Sequence, residues 1–320
     1  MLRGMAAPST TVHGEADEGT RRVGLVAGTA AYALWGVIPL VFRLLDSVSA
    51  VEILLHRVVW SFVVVVLLLV LRRDGGWFDA VRSRPTALRR LALAGVLVAT
   101  NWLVYIWAVN SDRVIEAALG YYVTPLFTVA IGVVVLGERL RRLQVVALGF
   151  GVLAVVVLAV AYGRVPWIAL ALAVTFSGYG YLKRSVPVGA TTSLAVETAV
   201  LLPVALAGLA ILGTTGEAAF TNGSVGRDAL LVALGVITAV PLLLFATAAT
   251  RIPLSTLGLL QYLTPTLQLL CGVVVLDESL PVERLVGFVL VWVALAALGV
   301  DALGGGRRRR GAAEPAAGPV

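Results

Sequence analysis

Histidine, cysteine and lysine are nearly absent from this chain, which removes much of the chemistry that enzymes use. Cys271 is the only cysteine, so an internal disulfide and a cysteine-based metal site are both excluded. His13 and His56 are the only histidines, which disfavours a zinc site built on paired histidines. The single lysine, Lys183, follows Leu182, so the chain has no Gly-Lys-Ser/Thr phosphate loop. We therefore expect no metal, no cofactor, no catalytic residue and no ATP-driven step.

Charge is also scarce, and hydrophobic residues fill the space that it leaves. Only 13% of the 320 residues are charged and 59% are hydrophobic, whereas a soluble domain carries roughly 25% charged residues. Such a chain cannot face water on all sides, so the composition predicts an integral membrane protein with the lipid bilayer as its surroundings. The net charge of +7 comes largely from arginines between apolar runs. We interpret them as topology signals and expect no nucleic-acid partner.

The apolar runs predict an all-α protein with ten transmembrane helices, because about 20 residues are needed for each crossing. The polar ends, residues 1–21 and 303–320, are predicted to be disordered cytoplasmic tails. Arg21 and Arg22 precede an apolar run that resembles a signal peptide, but the run continues well past the cleavage-like Ala-Tyr-Ala, which favours a mature helix. The predicted helices are 23–42, 52–71, 88–110, 114–136, 142–162, 166–184, 190–213, 228–250, 254–276 and 282–302.

The basic residues between the predicted helices indicate which side of the membrane each connection occupies. With the N-terminus inside, the inner segments hold nineteen of the 25 Lys and Arg residues and the outer segments hold five. Arg57 lies within a helix. This bias predicts that both termini are cytoplasmic, because inner loops of membrane proteins carry the excess of positive charge.

One segment occurs twice. Residues 122–140 and 262–280 share 10 identities in 19 positions at a constant offset of 140, beginning with Tyr-x-Thr-Pro and ending with Glu-x-Leu. The first copy falls in the fourth predicted helix and the second copy in the ninth, so the repeat unit has five helices. Because five is an odd number of crossings, the second unit enters the membrane from the opposite side. We therefore predict two inverted five-helix repeats, residues 22–162 and 163–302, an architecture typical of secondary transporters.

Ionisable residues near the outer ends of two predicted helices suggest a substrate pathway. His56 and Arg57 lie about 8 Å inside the second helix at 1.5 Å per residue, and Trp60 follows one turn later. Glu116 lies at a similar depth in the fourth helix. The alternative is an Arg57–Glu116 ion pair that joins the two helices structurally.

Polar residues deeper in the bundle extend the predicted pathway. Asn101 falls close to the midplane of the third helix, and Tyr105 lies one turn outward on the same face. Further polar tips precede the two repeated prolines. The full predicted pathway consists of His56, Arg57, Trp60, Asn101, Tyr105, Glu116, Tyr121, Tyr122, Gln261 and Tyr262.

Glu197 is a candidate for proton coupling, because a carboxyl buried in a membrane helix is readily protonated. The structural alternative is a pair with Lys183 or Arg184, which are predicted near the same inner face.

Residues that break helices mark candidate hinges, because proline removes a backbone hydrogen bond and glycine loosens the helix. The repeated pair of prolines is the best candidate, since it would provide one hinge in each half. The predicted hinges are Gly36, Pro39, Pro125, Pro241 and Pro265.

Several blocks resemble a known family. The two five-helix halves that end in GERL and DESL look like EamA-type domains of the drug/metabolite transporter superfamily. AYALWGVIPLVFRLL, EILLHRVVWS and NWLVYIWAVN, with YYVTPL and QYLTP, resemble the RarD group of bacterial inner-membrane proteins. The resemblance implies a ten-helix exporter of a small metabolite or drug at the bacterial inner membrane. An intramembrane enzyme for a lipid-linked substrate and a passive channel are the alternatives.

We expect topology reporters to place both termini in the cytoplasm. A reporter that is active only in the cytoplasm should be active when fused after Arg90 or Arg310 and inactive when fused after Arg113, because the arginine bias fixes the orientation. The opposite pattern at all three sites would contradict the predicted orientation.

Overall fold

The computed structural model describes the chain as a bundle of helices. Within the described residues all regular structure is helical, which confirms the prediction of an all-α protein with ten helices. The described residues are 11–73, 84–137, 142–163, 165–186, 188–249, 251–252 and 260–311. The helices are α1 (Thr11–Arg43), α2 (Ala50–Leu71), α3 (Pro85–Asn110), α4 (Val114–Leu136), α5 (Arg142–Tyr162), α6 (Trp167–Arg184), α7 (Ala190–Thr215), α8 (Val225–Ala249), α9 (Leu263–Leu270) with a π-helical turn (Cys271–Val275), and α10 (Val282–Gly311).

The helix limits follow local signals in the sequence. Ser49 caps α2 by accepting a hydrogen bond from the backbone N–H of Glu52. Gly137 and Gly216 end α4 and α7 in the left-handed conformation, at φ 66° and 76°, where glycine carries no steric penalty. Helix also covers residues 11–21 and 303–311, where the sequence predicts disordered tails, because α1 and α10 extend beyond their apolar parts.

Six helices within the described residues are long and apolar enough to cross a bilayer. They bear large hydrophobic side chains on their outer surfaces, such as Val70 at 66% exposure and Val134 at 83%. An apolar exterior of this kind fits lipid and not water, so the chain is a multi-pass membrane protein. The six segments are Gly19–Arg43, Ala50–Leu71, Pro85–Asn110, Val114–Val135, Thr191–Thr215 and Val225–Phe245, and three shorter apolar stretches are Val145–Val160, Leu263–Val275 and Leu285–Ala297.

Most of the packing joins the first five helices to the last five. α1 packs on α8 and α9, and α6 packs on α3 and α4. α2 packs on α8, and α7 packs on α3. Three further pairs, α2 with α7, α4 with α9 and α5 with α10, each join helices five places apart. If each helix in these pairs is replaced by the helix five places away in the chain, the same set of helix pairs results.

Two glycines at the same offset of 140 allow close approach between the halves. A Cβ on Gly95 of α3 would lie 3.1 Å from the backbone oxygen of Glu197 in α7. A Cβ on Gly235 of α8 would lie 2.5 Å from the backbone oxygen of Trp60 in α2. Both positions therefore need the small residue, and both place it at the contact between a third helix of one half and a second helix of the other.

The two copies of the repeated segment differ in structure. Pro125 lies inside the continuous helix α4, whereas Pro265 lies in the first turn of α9, after a turn at Gln261 and Tyr262. The predicted ninth helix begins earlier, but residues 253–259 lie outside the described part of the chain. Proline is well tolerated in a first turn, because the backbone N–H groups there have no partner within the helix.

The other predicted hinges lie at helix interiors or contacts. Pro39 and Pro241 lie inside α1 and α8. Gly36 faces Leu267, since a Cβ at this glycine would lie 2.6 Å from that side chain. At the same contact between α1 and α9, the Cys271 thiol lies 3.8 Å from the Gly36 carbonyl oxygen.

We expect Gly235→Ala to destabilise the folded protein by about 1–3 kcal/mol, because the added methyl group meets a backbone oxygen that cannot move aside. Gly149→Ala in α5 is the matched control, since a Cβ there meets no atom within 4 Å. Thermal unfolding in detergent measures both. Equal melting temperatures for the two variants would contradict the close approach of α8 and α2.

Candidate functional site

Arg57 is a buried cation between the halves. Its side chain on α2 is 5% exposed, and its Nε–H donates to Thr238 Oγ1 of α8 at 3.0 Å. The guanidinium lies 3.9 Å from the ring centroid of Trp102 on α3 and 5.7 Å from that of Phe42 on α1. Stacking on aromatic faces stabilises a cation that is removed from water. Within the described part of the chain, the ion pairs involve other groups and no carboxylate pairs with Arg57.

Asn101 holds a hydrogen-bond network next to this cation. Its Nδ2 donates to the Leu172 carbonyl oxygen at 3.0 Å and to Thr175 Oγ1 at 2.9 Å, both on α6. Its Oδ1 accepts from the Tyr121 hydroxyl at 3.0 Å. The Tyr121 ring meets the Tyr105 ring edge to face, with centroids 5.6 Å apart. Asn101 and Tyr105 therefore lie on one face of α3, as their helical spacing predicts, and Tyr121 of α4 contacts both.

Two polar side chains in this region keep atoms without a hydrogen-bond partner. Within the described residues, the Tyr105 hydroxyl and Gln268 Oε1 are buried and have no hydrogen-bond partner of good geometry, although the two side chains are close enough to interact with each other. Gln268 Nε2 donates to the Trp35 carbonyl oxygen at 3.3 Å, which fixes the side chain between α9 and α1. Unpaired polar groups in a buried position are costly, so they mark a place where a ligand can bind. We call the following residues the central cluster: Phe42, Arg57, Asn101, Trp102, Tyr105, Tyr121, Thr238 and Gln268.

His56, the neighbour of Arg57 in the sequence, lies outside the central cluster. Its ring stacks on Phe220 with centroids 4.6 Å apart, and its Nδ1 accepts from Trp60 Nε1 at 3.2 Å. The Glu52 carboxylate, one turn before it, accepts hydrogen bonds from the backbone N–H groups of Ala219 and Phe220 at 2.9–3.0 Å. His56 and Trp60 therefore belong to a contact between α2 and the segment that joins α7 to α8.

Glu116 does not pair with Arg57. Its carboxylate lies 3.3 Å from Arg113 Nη2, one turn earlier near the start of α4. The ion pair between Arg57 and Glu116, one alternative from the sequence, is therefore wrong for this structure, because each residue has other partners.

A second carboxylate closes the same end of α4. Glu278, which follows α9 and its π-helical turn, accepts hydrogen bonds from the backbone N–H groups of Val114 and Ile115 at 2.6 and 3.0 Å. These N–H groups begin α4 and have no acceptor within the helix. A negative charge at this end also interacts favourably with the helix dipole. The end of the second repeated segment thus caps the beginning of α4, the helix that contains most of the first.

Glu197 lies in a separate network near the ends of α6 and α7. It accepts hydrogen bonds from Ser193 Oγ at 2.6 Å and from the Tyr179 hydroxyl at 3.2 Å. Lys183 Nζ lies 3.3 Å from Glu197 Oε1 and donates to the Tyr179 hydroxyl at 2.5 Å. Glu197 thus pairs with Lys183, as in the structural alternative to proton coupling, and the side chain of Arg184 lies outside the described residues.

The remaining predicted pathway residues are not part of the central cluster. The Tyr122 hydroxyl lies 2.7 Å from Thr266 Oγ1, and its ring meets Phe288 edge to face. Tyr122 therefore faces α9 and α10, away from Arg57. Gln261 and Tyr262 form the turn before α9, and both are half-buried.

The sequence reading missed four members of the central cluster: Phe42, Trp102, Thr238 and Gln268. A usable signal exists for Trp102, which directly follows Asn101, and for Gln268, the one amide in the repeated segment. Threonine and phenylalanine occur often in membrane helices, so Thr238 and Phe42 carry no such signal. Within the described residues, no group of three or more His, Cys, Asp or Glu side chains could hold a metal ion.

Comparison with known proteins gives consistent matches along almost the whole chain. The EamA-like transporter family matches residues 22–160. A RarD protein of Streptomyces exfoliatus is 49% identical over 300 residues, which cover 94% of this chain and 95% of that protein. An uncharacterised transporter of Pseudomonas aeruginosa is 43% identical over 283 residues, covering 88% and 94%. One solved crystal structure covers 87% of this chain and 97% of its own at a TM-score of 0.57, and its 22% identity shows the fold alone.

We expect Lys183→Met to destabilise the protein by about 2–4 kcal/mol, because it leaves the buried Glu197 carboxylate without its cation. The value is below that of a fully buried pair, since 26% of the lysine side chain is exposed. The double variant Lys183→Met/Glu197→Gln should recover more than half of the loss in chemical unfolding. A single variant as stable as the wild type would show that the pair contributes nothing.

Proposed function

This chain belongs to the EamA-like transporter family, and from that membership we propose that it is a secondary transporter which moves a small molecule by alternating access. The relatives are bacterial, and the chain is a multi-pass membrane protein, so the bilayer in question is the bacterial inner membrane. Export is the proposed direction, as in the resemblance to exporters of metabolites and drugs. The arginine bias supports a cytoplasmic position for both termini.

The helix packing supports two inverted repeats, residues 22–162 and 163–302. The main contacts are unchanged when each helix is exchanged for the one five places away. An inverted pair of five-helix units gives this pattern, because each half then presents the same surface to the other. Two halves of this kind can exchange conformations, which gives inward-open and outward-open states of similar energy.

The observation that carries the proposal is the position of the central cluster. It draws Arg57 and Asn101 from the first half and Thr238 and Gln268 from the second, and all four are at most 5% exposed. A polar cluster that is enclosed between two halves fits a substrate site of a transporter near the membrane centre. A passive channel needs a continuous wetted path, and an intramembrane enzyme needs clustered catalytic groups, so both alternatives fit less well.

The outer end is held closed by carboxylates that reach across the two halves. Glu52 accepts from backbone N–H groups of the second half, and Glu278 accepts from backbone N–H groups of the first. We propose that these contacts release when the site opens outward. The outer pathway would then run past His56, Trp60 and Glu116 to the central cluster.

The hinges of this cycle are proposed at Gly36, Pro39, Pro125, Pro241 and Pro265. The helix containing Pro125 is continuous and the one containing Pro265 begins after a turn. Such a difference between two copies of one segment fits halves that take unlike conformations at one time. Tyr122, Gln261 and Tyr262 lie beside these prolines and would line the pathway when the helices move.

Proton coupling is proposed at Glu197. The residue is 1% exposed, accepts hydrogen bonds from Ser193 and Tyr179, and forms an ion pair with Lys183. We propose that this carboxyl changes its hydrogen-bond partners within the network when the inner end opens. Glu197→Gln, which cannot release a proton, should make flux independent of an imposed pH gradient.

We expect purified protein in proteoliposomes to move a small metabolite at a rate that depends on a proton gradient. Arg57→Ala and Asn101→Ala should lower this flux at least about tenfold, since each removes hydrogen bonds of a buried group. Trp107→Ala is the control, because this partly exposed residue lies outside the central cluster. Counterflow assays with anionic, neutral and cationic metabolites identify the compound that is transported.

Two results would contradict the proposal. Binding of ligands without flux of any of them would exclude a transporter. Loss of folded protein in both the Arg57 and the Asn101 variants, with the Trp107 variant intact, would instead assign those residues to structure.

A further inference from the structure

The charge of the central cluster is not balanced. A guanidinium remains charged in proteins, and a charge in hydrocarbon needs a partner. Arg57 is 5% exposed, and no carboxylate of the described residues pairs with it. The cluster therefore carries one positive charge that the rest of the described bundle does not neutralise.

The contacts of Arg57 leave one edge of its guanidinium available. Trp102 covers a face at 3.9 Å, and Thr238 takes the Nε–H. The two terminal Nη groups make no hydrogen bond to the described residues. They form a planar fork of N–H donors, which matches the two oxygens of a carboxylate or a phosphate group.

The surroundings of this fork suit an organic group. Aromatic rings of Phe42, Tyr105 and Tyr121 surround the cation, with Tyr105 6.0 Å from Phe42 and 5.6 Å from Tyr121 between centroids. Within the described residues, the Tyr105 hydroxyl and Gln268 Oε1 have no hydrogen-bond partner of good geometry other than each other. These groups provide apolar contact and two further polar contacts beside the charge.

A cationic group finds no matching partner in the cluster. The buried carboxylates nearest along α2 and α7 are engaged elsewhere, Glu52 with the backbone N–H groups of Ala219 and Phe220 and Glu197 with Lys183. A cation placed beside Arg57 would meet repulsion in a region of low dielectric constant.

We propose that the substrate is a small organic monoanion whose carboxylate or phosphate oxygens bind the Nη groups of Arg57, with its apolar part among the rings of the central cluster. This assignment rests on the transporter function proposed above and names the substrate class for the same site. The anion supplies the missing negative charge, so the loaded site is neutral and the two halves can rearrange around it at lower cost than around an unpaired charge.

Compounds that share a skeleton but differ in charge test the proposal. The probes are benzoate, benzamide and benzylamine, butyrate, butyramide and butylamine, and methyl phenyl phosphate, a phosphodiester monoanion, as the phosphate source. Purified full-length protein in detergent is titrated with each, and the shift in melting temperature gives the affinity. Arg57→Gln is compared with Arg43→Gln, whose arginine pairs with Asp112 at the outer end of the bundle.

We expect only the anionic members to stabilise the wild type. Arg57→Gln should weaken their binding roughly 30-fold or more, and Arg43→Gln should leave it unchanged, because a buried charge pair is lost only in the first. Arg57→Lys keeps the charge without the planar fork and should bind with intermediate affinity. Carboxylate and phosphate sources are separated by whether benzoate or methyl phenyl phosphate binds more tightly.

The selectivity of the wild type for anionic compounds tests the proposal even if Arg57→Gln does not fold. Stabilisation by the neutral or cationic members, or by no anionic member, would overturn the proposal. In proteoliposomes, flux of a neutral or cationic compound would overturn the anion assignment and leave the transporter function standing. Tight binding of anions that are never transported would overturn the transporter function and leave the anion assignment standing.

Discussion

The absence of water from the membrane interior is the constraint on which the rest of the structure depends. A backbone there must satisfy its own hydrogen bonds, so the apolar segments are helical and their outer surfaces carry hydrophobic side chains. The same constraint makes each interruption of a regular α-helix informative. The turn before α9 and the π-helical turn after it lie on the helix that meets α1 and α4, where neighbouring protein replaces lipid.

Charge obeys the same constraint. Glu52, Glu197 and Glu278 are each provided with hydrogen-bond donors, two of them with backbone N–H groups from the opposite half. Arg57 is the buried cation of the described helices that has no carboxylate beside it, and its neighbours are an aromatic ring and a hydroxyl. Carboxylates thus fasten the halves together, and the single unbalanced cation lies at the place where the halves share a site.

Sequence reasoning predicted the helices well, because hydropathy and caps are local properties. The limits of α4 and α5 coincide with the predicted 114–136 and 142–162. The central cluster was predicted only in part, since its members meet across helix contacts that no local pattern encodes. Asn101, Tyr105 and Tyr121 do lie together, but His56 points toward Phe220 although it adjoins Arg57. Gln268 was missed because its role depends on the approach of α9 to α1.

The chain contains its own chemical reporter of movement. Cys271 is the single thiol, and it is buried where α9 meets Gly36 of α1. Any step that separates these helices exposes a sulfur atom that is otherwise shielded from reagents. The rate at which a thiol-reactive probe modifies the unaltered protein therefore measures how often this contact opens, without the introduction of a single substitution.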